Sequence, residues 1–209
     1  MPAGFHPALR RTVRAALLGA LVLAPLACAS RKISRVDPSD VTDLSPRWND
    51  TDSRLVANQL IEQTLSAPWA KRYAETHGGD APTVIVGGFD NRSMEHIPVA
   101  TFTRDLERAF VNSGAVRVVA SADERAEVRT ERKDQQQNAR ADTRAHIGQE
   151  QGARYMLQGE VNSIEQGQGR EKVVFYQVDA TLIDLESNAK VWVGQHKIKK
   201  YIERRPFGI

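Results

Sequence analysis

The densest run of side chains able to do chemistry is Asp90, Asn91, Arg92, Glu95 and His96. It follows a short β-branched run, Thr83-Val84-Ile85-Val86, closed by Gly87-Gly88. Open α/β sheets bind ligands beyond the carboxyl ends of their strands, so this loop stands in a functional place. A carboxylate beside a histidine could move a proton. The four side chains Asn91, Arg92, Glu95 and His96 could equally form part of a protein-binding surface, and Asp90 and Asn91 could simply hold a turn. Contact with a partner is preferred to acid–base catalysis because the rest of the chain lacks catalytic apparatus. The five His stand at 6, 77, 96, 146 and 196, none four residues from another, which removes a zinc-protease helix. There is no Gly-x-Ser-x-Gly elbow, and no phosphate-binding Gly-Lys-Ser/Thr follows Gly87-Gly88. A single Cys excludes an intrachain disulfide and a Cys-rich metal centre. No catalytic residue, no metal site and no cofactor is therefore expected.

A second charged cluster is Lys197, Lys199, Lys200, Arg204 and Arg205. It could meet an anionic partner, or it could mark an edge strand protected by charge from sheet-to-sheet pairing. Nucleic acid is not expected. Of the 29 Lys and Arg, three (Arg10, Arg11, Arg14) precede Cys28, and the remaining 26 face all 26 Asp and Glu. The net charge of +3 thus belongs to the first 14 residues, and no platform of basic and aromatic residues follows.

Those basic residues head an apolar run, 15–27 (AALLGALVLAPLA), too short to span a membrane but suited to a secretory signal peptide over residues 1–27. Ala27-Cys28 resembles a bacterial lipobox, with Pro25 standing where that motif has Leu, Val or Ile. Lipidation at Cys28 would anchor the protein to a membrane. Cleavage after Ala29, in the site Ala27-Cys28-Ala29, would instead free a soluble periplasmic protein. Ala29 rather than Asp after the Cys resembles lipoproteins sent to the outer membrane. Residues 28–51 contain Pro38, Pro46 and many Asp and Ser, and predict a flexible tether. Fully extended, its 22 residues 29–50 reach about 70 Å at about 3.3 Å per residue.

The rest, 52–209, predicts one globular domain. A helix over 52–66 carries Ala57, Leu60, Ile61, Thr64 and Leu65 on one stripe, with Pro68 past its end. The apolar strand 83–86, a helix over about 100–113 with Phe102, Leu106, Ala109 and Phe110, a cap at Gly114 and a strand at 116–119 make a βαβ unit. Ser121 and Glu124 have capping-box spacing. The polar run 131–144 predicts loose order, and a short helix is expected near 141–150. Alternation in 155–163 and 172–185, then a return at 190–202, predicts an antiparallel meander, with Gln166-Gly167-Gln168-Gly169 as a flexible hairpin loop. The expected fold is α/β (α+β): a single mixed sheet of about five strands with helices packed on it.

Several of these segments resemble the LpoB family of outer-membrane lipoprotein activators of penicillin-binding proteins. The resemblance lies in Val84-Ile85-Val86-Gly87-Gly88-Phe89-Asp90-Asn91-Arg92-Ser93, in Glu95-His96-Ile97, in Phe110-Val111-Asn112-Ser113-Gly114, and in Val116-Arg117-Val118-Val119. Most specific is Gln151-Gly152-Ala153-Arg154-Tyr155-Met156-Leu157-Gln158-Gly159-Glu160-Val161, with Arg154 where the family has an acidic residue. Leu182-Ile183-Asp184-Leu185 through Val191-Trp192 and Ile198-Lys199-Lys200 is similar to the family's closing hairpin. The resemblance implies a monomeric, non-enzymatic protein that docks on a bifunctional penicillin-binding protein and stimulates peptidoglycan synthesis. A curli-secretion-like outer-membrane assembly lipoprotein is the alternative, since that class has a similar Gly-Ala-(acidic)-Tyr strand.

Overall fold

The computed structural model describes residues 34–37, 40–41 and 45–203. The chain divides into two compact units, 1–40 and 41–209. The predicted signal peptide, Cys28, part of the predicted tether, and Arg204 and Arg205 lie outside the described residues. In the first unit the Asp40 N–H donates to the Asp37 carbonyl (3.0 Å).

The second unit opens with helix α1, Asp50–Ser66. It begins two residues earlier than expected because Asn49 caps it. The Asn49 side chain accepts the Asp52 N–H (3.0 Å), and the Asp52 carboxylate accepts the Asn49 N–H (2.9 Å). The predicted stripe faces inward: Ala57, Leu60, Ile61 and Thr64 are buried, joined by Val56. A second short helix that the sequence did not announce, α2 (Trp69–Thr76), follows Pro68. The Trp69 indole N–H donates to the Thr64 carbonyl (2.7 Å), occupying one of the orphan acceptors at the end of α1.

Strand β1 runs Thr83–Asn91, past the expected stop at Gly87-Gly88. The register against β3 explains the extension. Val86 faces Leu157 and Phe89 faces Gly159, so three steps on β1 match two on β3. The glycine pair absorbs the extra residue as a bulge, and pairing resumes beyond it. Asn91, expected in a loop, is therefore the last residue of the strand. Helix α3, Val99–Ser113, buries Phe102, Leu106 and Phe110 completely and ends on Gly114 in the left-handed region (φ 64°). It returns the chain to β2, Arg117–Val118, parallel to β1.

Helix α4, Ala122–Asn138, opens with the expected capping box between Ser121 and Glu124. It extends into the run expected to be loose, as far as Asn138, because its Glu, Arg, Lys and Gln residues are strong helix formers that pair along the helix: Gln135 with Glu131, Asn138 with Asp134. The expected helix at 141–150 is absent; that stretch forms turns. Its backbone is bound instead by α4, with Gln135 accepting the Ala145 N–H and Gln136 donating to the Ala145 carbonyl. No residue of α4 is buried.

Three long strands complete the fold: β3 (Tyr155–Gln168), β4 (Glu171–Asp184) and β5 (Lys190–Glu203). Gln166–Gln168 belong to β3, so the β3–β4 turn is only Gly169-Arg170, with Gly169 at φ 62°. The described residues thus form one five-stranded mixed sheet in the order β2-β1-β3-β4-β5, the α+β fold expected. Strands β1 and β2, and β1 and β3, pair in parallel; the other pairs are antiparallel. One face of β4 (Val174, Tyr176, Val178, Ala180, Leu182) is buried in the core with Leu157 and Val161 of β3. Helices α1 and α3 pack on each other, α1 against β5 and α3 against β1. Arg154, immediately before β3, reaches Asp184 at the end of β4 (2.8 Å) and also Glu186. The Asp184 carboxylate in turn accepts the N–H groups of Glu186 and Ser187, fixing the β4–β5 turn.

Candidate functional site at the carboxyl end of the first strand

The sheet sets the site by ending β1 early. Strand β3 continues about seven residues beyond Val161, the partner of Asn91, and the loop 92–98 runs beside that extension. The Arg92 N–H prolongs the ladder onto the Val161 carbonyl (2.8 Å), and the Met94 N–H donates to the Ser163 hydroxyl (3.2 Å).

Within the loop the four expected residues divide into two pairs. Asn91 and Glu95 are builders. The Asn91 side chain accepts the Ser93 N–H (3.0 Å) and hydroxyl (2.6 Å) and donates to the Glu95 carbonyl (2.7 Å). That is an Asx turn closed on both sides. The Glu95 carboxylate turns inward, accepts the Trp48 N–H (3.1 Å) and meets the Tyr176 hydroxyl. Burial, followed by this contact with Glu95, pushes the Tyr176 hydroxyl above its ordinary titration range. Arg92 and His96, by contrast, face solvent. Arg92 lies between the exposed Asp90 (3.5 Å) and the half-buried Glu160 (3.8 Å), and such pairs near the surface hold a guanidinium only weakly. Among the described residues His96 has no hydrogen-bonding or ion-pair partner for its ring. An acid–base pair needs an orienting group, and the neighbouring carboxylate of Glu95 is committed elsewhere.

Three contributors were not singled out from the sequence. Met94, at the loop tip, is 87% exposed. Tyr176 crosses the core to reach the loop. Trp48 lies in the segment read as tether, yet residues 45–51 belong to the folded body. Trp48 packs edge-on against Tyr176 (centroids 5.4 Å apart), and its indole N–H donates to Ser53 (2.7 Å). Tyr176 donates to the Pro46 carbonyl (3.3 Å), and Lys200 donates to the Arg47 carbonyl (3.1 Å) and to Asp52 (2.6 Å). An aromatic residue inside a Pro- and Asp-rich linker, and the spacing of Asn49 with Asp52, were the available signals.

The basic stretch on β5 is split by the strand's alternation. Lys197 and Lys199 point outward, whereas Lys200 turns inward to Asp52. The candidate site is therefore the exposed rim Arg92, Met94 and His96, carried on a loop whose backbone is fixed from three sides. Such a surface suits contact with a partner.

The model of the peptidoglycan-synthase activator LpoB family matches residues 52–198, from the first turn of α1 through most of β5. The chain belongs to this family. The LpoB family is one of synthase activators and not of catalysts. No curated protein matches the chain. Among solved structures, the LpoB C-terminal domain from Salmonella enterica is 17% identical, with a TM-score of 0.40, over 71% of this chain and 99% of that one. The structure of Escherichia coli LpoB is 16% identical, with a TM-score of 0.40, over 87% of this chain and 86% of that one. Lipoprotein GNA1162 from Neisseria meningitidis is 18% identical, with a TM-score of 0.37, over 57% of this chain and 83% of that one.

Proposed function

We propose that this LpoB-family chain is a periplasmic lipoprotein, anchored in the outer membrane through Cys28, that binds and activates a bifunctional penicillin-binding protein. Residues 1–27 are its signal peptide, and the chain from Cys28 to the start of the folded body is its tether. The observation that carries the proposal is the family match from the first turn of α1 through most of β5, residues 52–198. The basic and apolar start of the chain supports export, and no helix among the described residues is long and apolar enough to cross a membrane.

The rim Arg92, Met94 and His96 is the part of the loop that meets the synthase, with Asn91 and Glu95 holding it in shape. Activation by contact is a population shift: the activator binds the synthase's productive conformation more tightly than its resting one. The rim offers an apolar tip between two polar groups, an arrangement suited to a pocket with a polar border.

The test is capture from envelope extract with the mature protein tagged at its C-terminus. A bifunctional penicillin-binding protein is recovered, and adding the mature protein to that purified synthase raises its rate of glycan polymerisation. Recovery of no synthase overturns the proposal. Intact-mass measurement separates lipid on Cys28 from cleavage after Ala29.

A further inference from the structure

Helix α4 takes no part in the core, yet its charges are sorted by face. Arg125, Arg129, Arg132 and Lys133 recur at helical spacing on one side, and Glu127, Glu131 and Asp134 on the other. The basic side faces the turns at 145–151. Two adjoining cavities lie there, of about 370 and 250 Å3, sharing Arg132 and Glu150 in their walls. The larger is also lined by Arg129, Lys133 and Ile147, the smaller by Arg125 and Val128. Four cations thus line a groove that holds a single carboxylate, Glu150. The apolar walls are open: Val128 is 47% and Ile147 63% exposed.

Glu150 shows what the groove recognises. Arg129 grips its carboxylate with two nitrogens, Nε at 3.0 Å and Nη2 at 2.7 Å, and Arg132 adds Nη1 at 2.9 Å. This is the forked geometry that a guanidinium offers to a planar carboxylate.

We propose that this groove docks an acidic, extended segment of another protein, which sets a carboxylate on Arg129 and Arg132 in place of Glu150 and an apolar side chain against Val128 and Ile147. Charge complementarity carries the choice of occupant. With one internal carboxylate for four cations, the groove is left strongly positive, and a segment bearing several carboxylates matches that surplus. The apolar walls favour a peptide over a bare inorganic anion. Displacing Glu150 costs little because the incoming carboxylate takes over the same Arg129 and Arg132 nitrogens. The proposal stands apart from the synthase reading, since it uses none of the residues of the loop 92–98.

The test uses the full chain and a terminally blocked peptide alternating Glu and Leu, with binding measured by calorimetry at low ionic strength. Glu150→Gln removes the internal competitor and tightens binding by about 3- to 10-fold. Arg129→Ala weakens it by about tenfold, and Arg129→Lys, which keeps the charge but loses the fork, weakens it as well. Circular dichroism confirms that α4 persists in each variant; Arg132→Lys replaces any variant in which it does not. An unchanged affinity in Glu150→Gln overturns the proposal. So does equal binding of the Gln and Leu peptide, or displacement of the acidic peptide by inorganic phosphate at equal concentration.

Discussion

The Glu95 carboxylate accepts the backbone N–H of Trp48 at 3.1 Å, joining the loop after β1 to the segment that leads into α1. The same carboxylate interacts with the Tyr176 hydroxyl, so one side chain links the candidate contact loop, the chain entrance and the interior strand β4. Glu95→Ala removes the hydrogen bond from Trp48 and the electrostatic contact with Tyr176. A loss of about 1–3 kcal/mol in urea unfolding is expected for hydrogen bonds to a charged group. Amide exchange at Trp48 accelerates in the variant; an unchanged rate would show that Glu95 does not hold the entrance.

Tyr176 adds an alkaline limit. Burial, then the contact with Glu95, raises its hydroxyl above the free value of 10.0. A group whose folded value is raised stabilises fully below its unfolded value and loses that contribution as pH climbs through the folded one. Stability should therefore decline above pH 10.0, and Tyr176→Phe should be less stable at neutral pH but show a shallower alkaline decline. Equal slopes in the two proteins would refute this.

Gly159 is required by close approach. A Cβ there would fall on the Asp179 carbonyl oxygen and within 2.5 Å of the Phe89 ring. Neither can retreat, since one belongs to β4 and the other is buried against Phe102. Gly159→Ala should cost about 1–3 kcal/mol or more through overpacking. A thermal midpoint equal to that of the parent protein would contradict the packing described for this strand.

The Glu150 clamp has an acid limit. Hydrogen bonding from Arg129 is the largest influence, and the carboxyl is held down to about 2 from an ordinary 4.5. A depressed value gives a contribution present above 4.5 and lost as pH falls towards about 2. Carbon-detected titration should place the Glu150 midpoint well below those of exposed glutamates, and Arg129→Ala should raise it part of the way back, Arg132 still acting on it. A midpoint that ignores Arg129 would mean that the clamp is not formed.

The rim is testable without harm to the fold. Arg92→Ala, Met94→Ala and His96→Ala remove exposed side chains, so stability should change by no more than about 0.5 kcal/mol. Each should reduce stimulation of the captured synthase, and the triple variant should reduce it by about tenfold or more. Full stimulation by the triple variant would move the contact to another face.

The inward stripes of α1, α3 and β4 were legible in the sequence because burial imposes a period on residue type. Val174, Tyr176, Val178, Ala180 and Leu182 alternate, and Phe102, Leu106 and Phe110 recur each turn. The extension of β1 past Gly87-Gly88 was not, because a bulge depends on register with β3, a partner some 70 residues away. Helix α4 was read short because its stability comes from capping and side-chain pairs rather than an apolar stripe. At the site, residue types located the loop but not the division of labour. Glu95 and His96 are neighbours in sequence, yet only Glu95 finds Trp48 and Tyr176, and that depends on how the entrance segment folds back.

The entrance segment also decides how the domain would carry load. Tension on the chain ahead of Ser45 reaches the body through Pro46, Arg47 and Trp48, whose bonds run to Tyr176, Lys200 and Glu95. A pull is thereby shared among the middle of the sheet, its edge strand and the contact loop at once. The domain is gripped at several points rather than peeled from one end, and the bond nearest the pull is the one from Tyr176 to the Pro46 carbonyl.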